Sequence, residues 1–427
     1  MEKKDIFKIE ELNIKDKKGN LKNEASSKVS STKYFPIFDI AGKERIFKPL
    51  SKTKPLSTPL FSYSEVYWSY LINKYIDENT PVYNLAYCRG LSNEQPKYYE
   101  KGCLVDNILS EGEELINIYE FFEKYKDPLV DISDYTNYCE VQYDYTAILN
   151  SEFFTKNKEL RKELIKQILC SILRRDANYH YENISLIIRD NTISRVAPII
   201  DLEFSEMFMY PDLKERHKVR FSHYDEGMAP LFYYNEDLSY EENSLIFLTK
   251  LVEGTVYDQI DSYHFSNLLK NLSAIVILEP LVVEDFLNKI EAMKEEVKRF
   301  DIQFSTNFLD KFSSKDWEAT RMLYKDGKLP TDKQYLIKKA EAIESRIILD
   351  EKSFNKSLKK EVLWNIEKLE QVLKLLMDIK KGEIPNLKLY KNETLYGSVK
   401  RIPEENLEAL IKEMFVSNHD SYVKKKQ

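Results

Sequence analysis

The sequence predicts an α+β fold, in which a β-rich N-terminal part precedes a mainly helical part. Short strand patterns separated by turn residues occur between residues 33 and 112. A broad apolar stripe at helical spacing runs from Leu160 to Arg174, and helical patterning dominates from about residue 241 onward. The expected parts are a polar N-terminal segment (1–32), a β-rich part (33–112), a mainly helical part (113–310) and a helical C-terminal extension (311–427).

The composition is that of a folded protein with an acidic balance. Of its 427 residues, 43% are hydrophobic and 13% aromatic, which is enough to fill a sizeable core. Lys and Arg number 64 against 71 Asp and Glu, for a net charge of −7. Because phosphate contacts need a concentrated basic surface, this balance argues against direct nucleic acid binding.

The cysteines and the apolar runs predict a cytoplasmic protein. The four cysteines are scattered without a Cys-x-x-Cys pair, which favours reduced thiols over disulfides or a zinc site. Met1 is followed by charged residues, and no later apolar run is long enough to span a membrane. We therefore expect no membrane association.

The first ordered feature is expected to be a hairpin after a mobile N-terminal tail. Its strands are Tyr34 to Ile40 and Arg45 to Lys48, joined by a turn at Ala41 to Glu44 and stopped by Pro49. This pattern makes Lys48 the last residue of its strand.

A helix is predicted to follow a proline-containing loop over 51–64, with Ser64 as its N-cap. Glu65 falls on the same helical face as Trp68 and Ile72. Because an unpaired buried charge is costly, a lysine from a neighbouring strand is one explanation, and Lys48 is the candidate. The alternative is that Glu65 lies in the first turn, where the helix dipole favours a carboxylate.

The helix ending at Arg174 leads directly into a segment rich in polar residues. A strand over 184–188, a turn at Asp190-Asn191 and a returning strand over 193–200 predict an antiparallel hairpin. Asn183 enters the hairpin and Asp201 leaves it, so both are expected at its open end, where Asp176 also arrives. Two carboxylates and an amide suit Mg²⁺, which completes its coordination shell with water and with the phosphates of ATP. The alternative is that these residues serve only local turn hydrogen bonding.

Two further helices are predicted. Glu113 to Lys124 has a helical pattern, and Val362, Ile366, Leu369, Leu373 and Leu376 alternate spacings of four and three. The second pattern predicts a helix that packs within the domain; the alternative is a surface for a regulatory protein partner.

The order of these parts resembles that of the HipA-like serine/threonine kinases, over roughly residues 26 to 205. A strand-borne lysine, a helix-borne glutamate, an Asp–Asn loop and a hairpin ending in Asp follow one another as in kinase-like phosphotransferases. The segments that carry the resemblance are Ile46-Phe47-Lys48-Pro49, Ser64-Glu65, Gly102-Cys103-Leu104, Glu111-Gly112-Glu113-Glu114-Leu115-Ile116, His180-Tyr181-Glu182-Asn183 and Ala197-Pro198-Ile199-Ile200-Asp201-Leu202.

The resemblance implies a two-lobed protein-kinase-like fold that uses ATP and Mg²⁺ and transfers phosphate to a Ser or Thr hydroxyl of a protein, with autophosphorylation included. Lys48 would contact ATP phosphate and Glu65 would hold Lys48. Asp176 would be the catalytic base, while Asn183 and Asp201 would bind the metal. His180 would brace the loop at the cofactor site.

The sequence departs from the family pattern in two places. The family loop reads Asp-x-His-x-x-Asn, but here Asn178 stands two residues before His180 and Asp176 stands four before it. Either the loop carries an insertion, which we favour, or Asn178 occupies the base position and the chain is a pseudokinase that binds partners. The second departure concerns the phosphate loop, because no Gly-x-Gly-x-x-Gly occurs in the sequence. The only match to the family's short Ser/Gly-x-x-Lys loop is Ser26-Ser27-Lys28, for which an unstructured serine-rich tail is the alternative.

Phosphorylation of a lipid or small molecule is a third expectation, because a kinase-like architecture does not fix the acceptor.

Overall fold

The computed structural model of the chain contains both strands and helices, as the sequence predicts. The described residues are 2–4, 6, 9–13, 20–21, 27–30, 33–35, 37–49, 59–89, 99–125, 145–174, 176, 183–200, 202, 271–272, 274–302 and 351–381.

The described strands form one large sheet and three smaller ones. In chain order the strands are β1 (Glu2–Lys4), β2 (Ile9–Asn13), β3 (Asn20–Leu21), β4 (Ser27–Ser30), β5 (Lys33–Phe35), β6 (Ile37–Ile40), β7 (Lys43–Pro49), β8 (Asn84–Arg89), β9 (Tyr99–Asp106), β10 (Glu113–Asn117), β11 (Ser185–Arg189), β12 (Thr192–Val196) and β13 (Phe300–Ile302). The large sheet has six strands in the order β2-β8-β9-β7-β6-β3, and the second sheet has the order β10-β11-β12. β1 pairs with β13, and β4 pairs with β5.

The helices share one large core with the six-stranded sheet and with the sheet of β10, β11 and β12. The helices with defined bounds are α1 (Pro59–Tyr75), α2 (Ile118–Tyr125), α3 (Tyr145–Leu149), α4 (Glu152–Lys156), α5 (Lys158–Arg174), α6 (Pro280–Arg299) and α7 (Glu351–Lys381). No helix within the described ranges combines the length and apolar character that crossing a bilayer requires.

The predicted first hairpin is present as β6 and β7, with a shorter turn than expected. Ala41 and Gly42 form the turn with φ values of 55° and 80°, which is the left-handed backbone of a two-residue hairpin loop. β7 therefore begins at Lys43 rather than at Arg45 and extends to Pro49.

The expectation of a mobile N-terminal tail is wrong for the strands β1 to β4. β2 pairs in parallel with β8 at one edge of the large sheet. Glu10 of β2 accepts hydrogen bonds from Arg45 and Asn84, each at 2.7 Å. Strand pairing and these charged contacts therefore hold part of the polar segment 1–32.

Helix α1 begins at Pro59, inside the predicted loop, so the assignment of Ser64 as N-cap is wrong. Proline is favoured at the first helical position, where its missing N–H is not needed and its φ suits the helix. Glu65 consequently lies in the second turn, and the first turn contains no acidic residue. The helix-dipole explanation for Glu65 is thereby excluded.

The helix predicted over Glu113 to Lys124 begins only at Ile118. The preceding residues form β10, which pairs antiparallel with β11 from Glu113 opposite Arg189 to Asn117 opposite Ser185. Pairing with a strand that is distant in the sequence outweighs the local helical pattern here.

A salt bridge fastens the second sheet, and we expect its effect on stability to depend on pH. Glu113 accepts hydrogen bonds from both terminal nitrogens of Arg195, at 2.6 and 2.9 Å, and from the Ser110 N–H at 2.8 Å. These contacts, that from Arg195 foremost, lower the pKa of Glu113 from 4.5 to about 2. Because the folded pKa lies below the unfolded one, the stabilisation is present above pH 4.5 and is lost as the pH falls toward 2.

Glu113→Gln should therefore lower the free energy of unfolding at pH 7 by about 1–2 kcal/mol, given that solvent screens the partly exposed Arg195. In urea titrations from pH 7 to pH 3, the difference from the wild type should narrow below pH 4.5. Glu114→Gln, at an exposed position of the same strand, is the control and should differ little from the wild type. A Glu113→Gln deficit that stays constant with pH would contradict this account.

The apolar face of α7 packs inside the protein, as the sequence predicts. α7 contacts α6 and α5, and its apolar side chains are part of the same core as theirs. The buried residues of the predicted pattern are Val362, Ile366, Leu369, Leu373 and Leu376. The boundary at residue 310 and a protein partner on the C-terminal helices remain predictions.

Candidate functional site

Lys48 and Glu65 form a largely buried ion pair between the large sheet and helix α1. The Lys48 ammonium donates to Glu65 Oε1, and the side chains are 12% and 3% exposed. The sequence-based expectation that a strand lysine neutralises this carboxylate is confirmed. The ion pair holds the Lys48 ammonium in one position, and Glu65 stays out of solvent.

Gly102 allows the strand that carries Lys48 to lie close to its neighbour. In the β7–β9 pairing, Lys48 is opposite Cys103 and Pro49 is opposite Gly102. A Cβ atom at position 102 would stand 2.0 Å from the Lys48 carbonyl oxygen. Any side chain at this position must therefore displace the backbone of Lys48.

Gly102→Ala is expected to lower the free energy of unfolding by about 2 kcal/mol, because the strands can relieve the clash only by separating. Its urea midpoint should fall below that of Gly42→Ala. Gly42 has a φ of 80° but open space around its Cβ position, so alanine there introduces backbone strain of about 1 kcal/mol without a clash. A Gly102→Ala midpoint equal to that of the wild type would contradict the close approach.

Cys103 lies beside the ion pair, and its thiol is unreactive. Its thiol contacts the Ser62 carbonyl at 3.5 Å. Burial raises the pKa of the Cys103 thiol well above its ordinary value, and the nearby Glu65 carboxylate raises it further. The thiol therefore stays protonated and contributes no second negative charge next to Glu65.

Asp176 is anchored to the end of helix α5. Its N–H donates to the Ser171 carbonyl at 3.0 Å, the 6→1 bond with which many helices end. Its carboxylate accepts a hydrogen bond from Arg174, and the two side chains are 2% and 0% exposed. The carboxylate is thus held firmly, in a buried ion pair that the sequence analysis did not anticipate.

The second predicted hairpin is present as β11 and β12, but its returning strand ends at Val196 and does not extend to residue 200. Asp190 and Asn191 form the turn, with φ values of 51° and 59°. The ladder runs to Leu186 opposite Val196, with one irregularity next to Ile187. Asn183 precedes β11 and is half-buried.

The register of β11 and β12 indicates which residue after β12 lies level with Asn183. Since 186 pairs with 196, continuing the ladder by three residues would place Asn183 level with Ile199, two residues before Asp201. Asp201 itself lies outside the described residues.

Helix α5 also fixes the segment that leaves β12. The Val196 N–H donates to Glu163 at 3.1 Å, and the Gln167 side chain donates to the Ala197 carbonyl. α5 therefore supports both Asp176 at its end and the segment that leads toward Asp201.

Leu202, the residue after Asp201, contacts helix α1. Its carbonyl accepts a hydrogen bond of 2.7 Å from the Ser64 hydroxyl. Both residues are fully buried. The segment that carries the predicted metal-binding Asp is therefore attached to the helix that carries Glu65.

The remaining predicted site residues are only partly described. The backbones of Ser27 and Lys28 belong to β4, where they pair with Phe35 and Tyr34. Ser26, Asn178 and His180 lie outside the described residues. Among the described residues, no group of three or more His, Cys, Asp or Glu side chains could hold a metal ion.

The contacts that three residues make around the candidate site were not predicted from the sequence. These residues are Ser64, Gly102 and Arg174. Arg174 carried a usable signal, because a charged residue that ends a broad apolar stripe needs a buried partner. Gly102 was quoted as part of a motif, but its close contact with Lys48 depends on strand register. Ser64 could not be linked to Leu202 without the fold.

A polar cavity of about 760 Å³ lies apart from the Lys48–Glu65 pair. Its walls come from the loop after α1, the end of β9, helix α5 and β12, including Asp77, Asp106, Lys166 and Arg195. None of the predicted site residues lines it, so the cavity does not mark the Lys48–Glu65 site.

No protein-family model matches the chain, and no curated protein matches it. Among solved structures, the crystal structure of a Helicobacter pylori proinflammatory kinase, CtkA, is similar over 83% of this chain and 98% of that chain. The two chains are 14% identical, and the TM-score is 0.35. A TM-score of this size does not establish a shared fold.

Proposed function

We propose that the chain is an ATP- and Mg²⁺-dependent protein serine/threonine kinase with two lobes. The observation that carries the proposal is the buried ion pair between Lys48 of β7 and Glu65 of α1. An isolated buried ion pair seldom stabilises a fold more than apolar residues of the same size would. A role in binding phosphate would explain why the Lys48–Glu65 ion pair is present.

The roles of the other residues follow from the same proposal. Lys48 contacts ATP phosphate, Asp176 accepts the proton of the substrate hydroxyl, and Asn183 and Asp201 bind Mg²⁺. When bound, Mg²⁺ would neutralise charge on the phosphates. The hydrogen bond between Leu202 and Ser64 of α1 supports the proposal. Leu202 follows Asp201 in the sequence, and Ser64 precedes Glu65.

The proposed architecture has a β-rich lobe over 33–112, a helical lobe over 113–310 and a helical extension over 311–427. Strands β2 and β3 extend the sheet of the first lobe. The acceptor is a Ser or Thr hydroxyl of a protein substrate, and acceptors on the chain itself are included.

A second candidate, a pseudokinase that binds nucleotide and a protein partner, is favoured by the surroundings of Asp176. A general base must come within about 2.6–3.2 Å of the hydroxyl that it deprotonates. The Asp176 carboxylate is 2% exposed and is bound by Arg174, so substrate can reach it only after a local rearrangement.

The experiment that separates the two candidates is transfer from radiolabelled ATP onto the purified protein in the presence of Mg²⁺. Label on the wild type, and none on Asp201→Asn, supports the kinase. ATP binding without label supports the pseudokinase. Absence of ATP binding contradicts both.

A further inference from the structure

The Ser64 hydroxyl makes an unusual contact for a serine inside a helix. Such serines commonly donate to a carbonyl three or four residues earlier, as Ser69 does to Val66 at 3.1 Å in the same helix. Ser64 instead donates to the carbonyl of Leu202, 138 residues away. Its hydrogen bond is therefore a tertiary link.

This link joins two parts of the proposed site. Ser64 directly precedes Glu65, which holds Lys48, and Leu202 directly follows Asp201. A displacement of α1 is thus transmitted to the backbone beside the metal ligand through one hydrogen bond between fully buried groups.

We infer that Ser64 is a positioning residue, which couples the Lys48–Glu65 pair to metal binding by Asp201. This inference rests on the proposed function. It adds that the two halves of the site, one for phosphate and one for the metal, do not bind independently.

Loss of the hydroxyl would uncouple the two halves. The Leu202 carbonyl would remain buried without its hydroxyl donor, a situation that proteins relieve by shifting the backbone. A small shift is sufficient, because a misplacement of about 1 Å in a catalytic site can reduce the rate by roughly 100-fold.

The test compares Ser64→Thr with Ser64→Val. The two replacements have nearly the same shape, so any strain from the added methyl group is common to both, and only threonine keeps the hydroxyl. We expect Ser64→Val to need about tenfold more Mg²⁺ than Ser64→Thr for half-maximal ATP binding, while ATP binding without Mg²⁺ stays equal. Equal Mg²⁺ dependence of the two variants would overturn the inference.

Ser69→Ala is the control for loss of a buried hydroxyl from the same helix. Ser69 also accepts the Tyr83 N–H at 3.0 Å, so its removal disturbs packing and hydrogen bonding without touching Leu202. It should lower the midpoint of thermal unfolding but leave the Mg²⁺ dependence of ATP binding unchanged. A changed Mg²⁺ dependence of ATP binding in Ser69→Ala would show that the effect of Ser64→Val comes from general destabilisation, and it would overturn the inference.

Hydrogen exchange separates failure of the inference from failure of the proposed function. Ser64→Val should speed amide exchange over residues 197–202, whereas Ser64→Thr and Ser69→Ala should not. Unchanged exchange in Ser64→Val overturns the link itself, whatever the ligand. Faster exchange in a protein that binds no nucleotide overturns the proposed function, and with it the coupling to a metal.

Discussion

Lys48→Met is expected to weaken ATP binding by roughly 10- to 100-fold, because a hydrogen bond to a charged group contributes about 1.5–3 kcal/mol. It should also lower phosphoryl transfer by about 100-fold or more, since the phosphate would no longer be oriented. The measurements are calorimetric titration with Mg²⁺ and ATP, and label transfer under saturating ATP.

The same substitution is expected to destabilise the protein. Glu65 is almost fully buried, and a buried charge that loses its partner costs about 3–5 kcal/mol. A loss of function in Lys48→Met could therefore be attributed to unfolding, which a second variant must exclude.

The double variant Lys48→Met with Glu65→Leu removes both charges and should recover most of the stability. It should not recover ATP binding, because the phosphate contact is still absent. Lys74→Met, in the helix that also carries Glu65, is the control for loss of a lysine that pairs with a glutamate. The pair of Lys74 with Glu296 is partly exposed, so its loss should cost less than about 1 kcal/mol and leave ATP binding intact. Normal ATP binding by the double variant would show that Lys48 has no role with phosphate.

Asp176→Ala is expected to reduce transfer by about 10²- to 10⁴-fold while ATP affinity stays close to that of the wild type. The physical reason is loss of the group that accepts the proton from the substrate hydroxyl. The measurement is the rate of label transfer at saturating ATP, together with calorimetric titration of ATP.

Asp176 also forms an ion pair with Arg174, so its single variant must be compared with a double variant that removes both charges. Arg174 is fully buried and donates to Asp176, and Asp176→Ala leaves its guanidinium without that carboxylate. The double variant Arg174→Met with Asp176→Leu should regain stability but remain inactive. If it regains transfer, the role of Asp176 is structural.

Asn178 provides the opposite test. If Asn178 occupies the base position, Asn178→Asp should raise transfer above that of the wild type. We expect no increase, because in our proposal the base is already present at Asp176.

The sequence predicted those parts of the fold whose signals are local. The turn regions that contain Gly42 and Asp190-Asn191 were identified because glycine, aspartate and asparagine tolerate positive φ. Helix α5 was predicted because its apolar stripe is broad and uninterrupted. The pairing of Lys48 with Glu65 was one of two explanations for a carboxylate on an apolar face, the one in which a buried charge needs a cation.

The parts that were missed depend on partners distant in the sequence. β10 was read as helix because its pairing with β11 lies some 70 residues away. The strands β1 and β2 lie in a polar segment whose partners, β13 and β8, have no local signature there. Pro59 was taken as a loop signal, although proline also starts helices.

The candidate site was predictable in its residue types but not in its contacts. Lys48, Glu65 and Asp176 were chosen from order and spacing, which do not reveal a buried Arg174 or a hydroxyl of Ser64 directed at a distant carbonyl. The Ser64 contact joins α1 to a segment 138 residues away, whereas Arg174 and Asp176 are neighbours at the end of α5.

The most direct test of the central claim is a titration of the purified protein with ATP, with and without Mg²⁺, for the wild type and for the Lys48→Met, Glu65→Leu double variant. We predict saturable binding to the wild type that strengthens with Mg²⁺, and binding to the variant that is at least tenfold weaker, in keeping with the loss of one charge-assisted contact. A wild type that binds no ATP under either condition, or a variant that binds it equally well, would contradict the claim that the Lys48–Glu65 pair forms a phosphate-binding site.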